Sequence, residues 1–225
     1  MAIDNPIHPF YNDYAEMYQH ENTNATVIQA QNAWHLLKEF SQGNVGSHWE
    51  FGAGKQLSIT AYADNGDSKT RVTSAAHGMS NGHVVSIAGT TNYDGIYVIE
   101  QIAENTFVID IAYVADDGAS TGEQGSYLKC IGTESGGYYY CDFSITITPA
   151  QNNDVLEGTI YKNATHSNNI EIQRKTATAA DYGVASCGGI LSIATGDIVT
   201  LSIRNITAAQ NFTMRNANVN VVRIS

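Results

Sequence analysis

From residue 137 to 149 the chain alternates with period two. Tyr139, Cys141, Phe143, Ile145 and Ile147 fall on one side, and Tyr138, Tyr140, Asp142, Ser144, Thr146 and Thr148 on the other. Successive side chains take opposite faces only in an extended chain, so this stretch is predicted to be a strand with one face in a core. Residues 159–163, 169–174, 190–194, 197–204, 211–214 and 218–224 carry the same signature, separated by turns of Asn, Gly and Asp. Upstream, residues 23–51 hold Val27, Ile28, Trp34, Leu36, Leu37, Trp49 and Phe51 in short pieces between Gly- and Asn-rich turns. Residues 32–40 also fit a helix with one buried face; a strand is preferred. The total, about eight to ten strands, suits an all-β two-sheet jelly roll.

A second β-unit lies between these flanks. Asn65-Gly66, Asn81-Gly82, Asp94-Gly95 and Asp117-Gly118 are dipeptides suited to positive φ. Between them strands are predicted at 71–74, 84–88, 96–102 and 106–113. Neither flank is a whole domain alone, so the expected organisation is nested. Residues 1–22 form an extended arm, 23–57 the first part of the jelly roll, 58–125 an inserted small barrel or sandwich, and 126–225 the second part. Nesting requires that the chain leave and return at neighbouring strand ends.

Charge follows the same division. Of a formal net −11, residues 57–125 carry nine acidic side chains against Lys69 and Arg71, whereas residues 126–225 hold seven of each sign. The insert is therefore expected to be the more solvated part. No basic stripe exists to neutralise phosphates, which argues against a nucleic-acid partner. No apolar run approaches the roughly 20 residues of a membrane-spanning helix, and no signal-peptide pattern opens the chain, so membrane insertion is not expected and synthesis in a cytoplasm is. Cys130, Cys141 and Cys187 show no metal-ligand spacing, and their odd number argues against a disulfide framework.

In the arm, Pro6 and Pro9 hold their neighbours extended. Phe10, Tyr11, Tyr14 and Tyr18 give it more aromatic surface than a solvated linker needs, so these six residues are the candidate partner-binding set. At roughly 3.3 Å per residue the arm would reach about 70 Å.

No catalytic, cofactor or metal site is expected. His77 and His83 lack a third ligand nearby in sequence. The run Asp64, Asn65, Gly66, Asp67, Ser68 begins like a calcium loop, but Ala75 stands where the bidentate Glu belongs. Cys187-Gly188-Gly189 has no identifiable base, and Asp116-Asp117 lies in a Gly-rich connection. Tyr93 and Tyr97 are read as core residues of the insert, although with Asn92 they would also suit weak glycan contacts.

The stretch HGMSNGHVVSIAGTTNYDGIYVIEQIAENTFVID, residues 77–110, resembles a small module of tailed-bacteriophage structural proteins. Gly78, Gly82, Gly89, Tyr93, Gly95, Tyr97 and Phe107 carry the likeness. GTIYKNATHS, GILSIATGDIVTLSIRN and NVNVVRI resemble the C-terminal strands of C1q/TNF-like jelly rolls in phage virion proteins, and YAEMYQHENTNATVIQAQNAWHLL resembles their opening. The resemblance implies a homotrimeric, non-enzymatic virion protein assembled in the host cytoplasm. It implies a capsid decoration (cement) protein or head fibre held by its arm to the major capsid protein or another virion protein. A receptor- or host-glycan-binding tail-fibre tip is the alternative.

Overall fold

A computed structural model describes residues 13–133 and 136–225. In chain order the first strands are β1 (Tyr14–Gln19), β2 (Ala25–Thr26), β3 (His35–Leu36), β4 (Ser41–Val45) and β5 (Trp49–Gly52). Next come β6 (Lys55–Ile59), β7 (Ala61–Gly66), β8 (Lys69–Thr73), β9 (Val84–Ala88), β10 (Gly95–Val98), β11 (Glu100–Ala103), β12 (Thr106–Ile109) and β13 (Ser120–Gln124). The chain ends with β14 (Tyr127–Cys130), β15 (Gly137–Pro149), β16 (Val155–Lys162), β17 (Thr165–Lys175), β18 (Gly183–Ile193), β19 (Ile198–Asn205) and β20 (Phe212–Arg223). The described residues contain no helix, and the fold is all-β.

Two six-stranded sheets form the jelly roll. The first runs β18-β15-β20-β1-β4 with β2 on β20, and the second β17-β16-β19-β14-β5 with β3 on β19. The alternation at 137–149 explains their packing: Tyr139, Cys141, Phe143, Ile145 and Ile147 are buried and meet Leu128, Leu156, Ile160, Leu201 and Ile203 of the other sheet in one core. From β15 onward the chain crosses repeatedly between the sheets, as a jelly roll requires.

Residues 55–124 build two further sheets, β10-β9-β13-β6 and β11-β12-β8-β7, around a core of their own that includes Leu57, Ile59, Val72, Ile87, Tyr93 and Phe107. Gly52 of β5 and Tyr127 of β14 are register partners, so the chain leaves and rejoins the jelly roll at one point. A small shared cluster of Leu36, Val84, Tyr127 and Ile198 packs the two parts together.

Several local expectations are corrected. Residues 14–19, expected in an arm, are β1, hydrogen-bonded between β20 and β4. The expected boundary at 57/58 falls inside β6, which pairs along its length with β13. Residues 96–102 are two strands in different sheets, because at Ile99 the backbone bonds to Gly82 and His83 and the chain changes sheet. Residues 106–113 stop at Ile109 as a strand. Conversely, 211–214 and 218–224 belong to the single strand β20, whose pairing with β15 shifts register between Thr146 and Ile147. The turn assigned to Asn65-Gly66 is centred two residues later: Gly66 pairs with Lys69, and Asp67 and Ser68 both take positive φ (48° and 63°), the backbone of a type I′ hairpin.

Candidate functional site

The expected partner-binding set divides. Pro6, Pro9, Phe10 and Tyr11 lie outside the described residues. Tyr14 and Tyr18 stand on β1 with 37% and 40% of their surface exposed, pointing away from the core that takes Ala15 and Met17.

Register explains what Tyr14 does there. Ile190 is opposite Tyr140, Tyr140 opposite Val222, and Val222 opposite Tyr14, so four strands present one apolar row on the outer face of the first sheet. All four side chains are exposed, at 51%, 44%, 46% and 37%. Tyr138, two residues before Tyr140 and on the same face, is 58% exposed. Ile224 adjoins it, donating its backbone N–H to the Tyr138 carbonyl. Beside the row the face turns polar: Asn220 Nδ2 donates to Asp142 Oδ1 at 3.0 Å and Asn218 Nδ2 to Glu16 Oε1 at 2.7 Å. The alternation had assigned Tyr138 and Tyr140 to the polar side of their strand. Two tyrosines on that side were the available signal of a contact face, but Ile190 and Val222 join them only through register.

The strand carrying Tyr14 is anchored beneath this face. Asp13 is buried; its Oδ1 accepts from Trp49 Nε1 at 2.9 Å and from the Tyr139 hydroxyl at 2.8 Å, while Oδ2 lies 3.1 Å from Arg223 Nη1. Burial and donation to Asp13 push the Tyr139 hydroxyl far above its ordinary range.

The junction between jelly roll and inner module holds a buried charge. Glu123 Oε1 meets Lys38 Nζ at 2.7 Å, and Oε2 stands 3.3 Å from His35 Nδ1. Burial alone would push this carboxyl up, but the hydrogen bond from His35 and the Lys38 charge outweigh it and hold it below the usual carboxylate range. Ser126, fully buried, accepts from Gly54 N at 2.9 Å and Phe40 N at 3.3 Å where the two parts join.

The histidines considered as ligands have structural contacts. His77 Nε2 faces the Thr106 carbonyl at 3.1 Å and its Nδ1 accepts from Met79 N at 3.2 Å. His83 Nδ1 accepts from Ser80 N at 3.2 Å and its Nε2 faces the Tyr127 hydroxyl at 3.2 Å; burial lowers its pKa. Asp64 Oδ1 caps the β7–β8 turn by accepting from Gly66 N. Among the described residues no group of three or more His, Cys, Asp or Glu is placed to hold a metal. Tyr93 is fully buried in the inner module and stacks on Tyr62 at 4.4 Å. Cys130 and Cys141 are buried and Cys187 half-buried, all as thiols.

No protein-family model matches this chain, and no curated protein does. Among solved structures it is similar to murine APRIL at pH 5.0, with 10% identity over 76% of this chain and 100% of that one at a TM-score of 0.34. It is also similar to Eiger TNF from S. frugiperda, with 9% identity over 76% of this chain and 93% of that one at a TM-score of 0.34. At these values the jelly-roll assignment rests on the chain's own sheet order and core.

Proposed function

We propose that this chain is a non-enzymatic structural protein of a tailed-bacteriophage particle, a capsid decoration protein or head fibre that works as a homotrimer. The observation that carries the self-association is the row Ile190–Tyr140–Val222–Tyr14 with Tyr138 and Ile224 beside it. An exposed contiguous apolar patch marks a contact surface, because leaving it in water forgoes roughly 25 cal/mol per Å² of burial. Aromatic residues at the centre and the Asn218, Asn220, Asp142 and Glu16 hydrogen bonds beside them match the core and rim of an interface.

The position of the inner module is compatible with this. It joins at β5 and β14 and packs against Leu36, Tyr127 and Ile198, which are contacts of the second sheet. The first sheet's outer face is left to a second copy while the acidic module projects elsewhere. The particle assignment rests on the sequence likeness of residues 77–110, and attachment is assigned to the residues preceding Asp13.

Light scattering on the full-length chain at micromolar concentration is expected to give three times the 24.3 kDa chain mass. Tyr140→Glu with Val222→Glu is expected to give a folded monomer. A monomeric wild-type chain overturns the trimer. Antibody labelling of intact particles tests the rest: many sites over the head are expected, whereas label confined to the tail tip overturns the decoration role, and unlabelled particles overturn the virion assignment. Removing residues 2–12 is expected to abolish decoration; full decoration by the truncated chain overturns attachment through them.

A further inference from the structure

A cleft of about 390 Å³ opens where the jelly roll meets the inner module, lined by Trp34, Tyr161 and His166 from one side and by Asp94, Gly95 and Ile96 from the other. We infer that it binds a neutral hexopyranose unit of a glycan, with one face of the sugar against Trp34 and its hydroxyls on Asp94 and the Gln31–Asn32 loop. This goes beyond the particle assignment and does not depend on it.

The aromatic wall is prebuilt. Tyr161 and His166 are register partners across the β16–β17 hairpin, whose turn is set by Asn163 at φ 55°. Trp34 packs edge-on to Tyr161 at 5.9 Å and lies 5.2 Å from His166, while the Arg204 guanidinium stands 4.4 Å over its ring. Arg204 is itself held by Glu157, with Nε 2.6 Å from Oε2. The loop before Trp34 is tied down by Asn32 N donating to the Asn205 carbonyl at 3.0 Å and Gln31 Nε2 to the Ile206 carbonyl at 2.8 Å. An indole fixed in this way loses little side-chain entropy on binding, which removes one of the costs of association.

The polar wall is equally specific in its chemistry. Asp94 Oδ1 accepts from Thr90 N and Thr90 Oγ1, both at 2.8 Å, which orients the carboxylate and leaves Oδ2 to accept from a ligand hydroxyl. Gln31 uses its amide nitrogen on Ile206, so its carbonyl oxygen remains an acceptor. Gln31, Asn32 and Asp94 are exposed at the rim, where a ligand enters. One stacking face opposite a set of hydroxyl acceptors suits a pyranose, with an apolar C–H face and a ring of O–H donors.

Charge decides between sugars. The cation packed on Trp34 is engaged: Arg204 pairs with Glu157 and stands over the indole. Asp94 adds negative charge on a chain of net −11. An anionic ligand is therefore disfavoured relative to a neutral one.

The test is saturation-transfer NMR on the full chain with methyl glucoside, methyl galactoside, methyl mannoside and N-acetylglucosamine, followed by titration of whichever responds. Saturable binding of at least one at millimolar concentration is expected, weakened about tenfold or more in Trp34→Ala and in Asp94→Ala. Asp94 is exposed, so Asp94→Ala decides the matter if Trp34→Ala unfolds. Transfer to none of the four overturns the inference. So does binding that survives both variants, or stronger binding of N-acetylneuraminic acid or inorganic phosphate.

Discussion

Lys38 Nζ lies 2.7 Å from Glu123 Oε1, bridging the strand that closes the inner module and the jelly-roll segment that follows β3. Glu123 is 2% exposed and also meets His35, so the charge of one unit is compensated by the other. Cleaving such a pair strands the remaining partners, which costs more than the pair itself contributes.

This arrangement sets a pH dependence. The Glu123 pKa is depressed in the folded chain, so the carboxyl contributes stability that is present above its unfolded pKa and lost as pH falls through the folded value. Glu123→Gln is expected to destabilise by about 3 kcal/mol at neutral pH. Because the variant cannot titrate there, its deficit relative to wild type should shrink in acid. Denaturant unfolding of both proteins at pH 7 and pH 3.5 measures this; a deficit independent of pH would show that the carboxylate charge is not the stabilising feature.

Asp13 is the corresponding fastener within the jelly roll. Its carboxylate gathers Trp49, Tyr139 and Arg223, residues of three different strands. Asp13→Ala should lower stability by about 3 kcal/mol, and Asp13→Asn by less, since the amide oxygen still accepts from one donor. Tryptophan emission, from Trp34 and Trp49 together, follows the thermal unfolding of each variant. An Asp13→Ala protein that unfolds with wild-type midpoint would remove Asp13 from the account of how β1 is held.

Thiol chemistry should separate the cysteines. Burial, with a smaller contribution from the Asp142 charge, pushes the Cys141 thiol up to about 12. Thiolate is the reactive form, so Cys141 should resist a maleimide at pH 7.5 in the native protein while half-buried Cys187 is modified. Mass spectrometry after a short pulse, with a denatured control, identifies the labelled position; early labelling at Cys141 would indicate that the sheet packing around it opens.

The strands with one dry face were legible in the sequence, and those made by their neighbours were not. β15 shows its burial in its own alternation, and β19 is apolar enough to stand out. β13, with sequence STGEQ, reads as a polar connection, yet Glu123 and Gln124 are buried because it lies between β6 and β9. β1 was hidden for a related reason. YAEMYQ alternates, but the prolines before it suggested an arm, and only pairing with β20 and β4 makes it part of the sheet. The apolar row and the Trp34 cleft are further from view still. Tyr14 and Val222 meet through register, and Trp34 and Asp94 through the docking of two cores.

The same docking determines what happens when the inner module is removed. Gly52 and Tyr127 are paired, so a chain in which residues 53–126 are replaced by a short Gly-Ser turn closes an ordinary hairpin between β5 and β14. The jelly-roll core, including Phe143, Ile145, Ile160 and Val219, loses none of its members in that deletion. Folding should therefore survive, but not at full stability. Leu36 and Ile198 lose Val84 as a packing partner, and Lys38 and His35 lose Glu123. Exposing two aliphatic side chains costs about 1.5–3 kcal/mol each if they are fully uncovered, and less here because their remaining neighbours persist. The expected result is a single cooperative thermal transition at a lower midpoint than the full chain, with residues 53–126 expressed alone also folding around Leu57, Tyr93 and Phe107. A jelly-roll fragment that melts without cooperativity would mean that the two cores are one folding unit, joined by more than a hairpin and a shared edge.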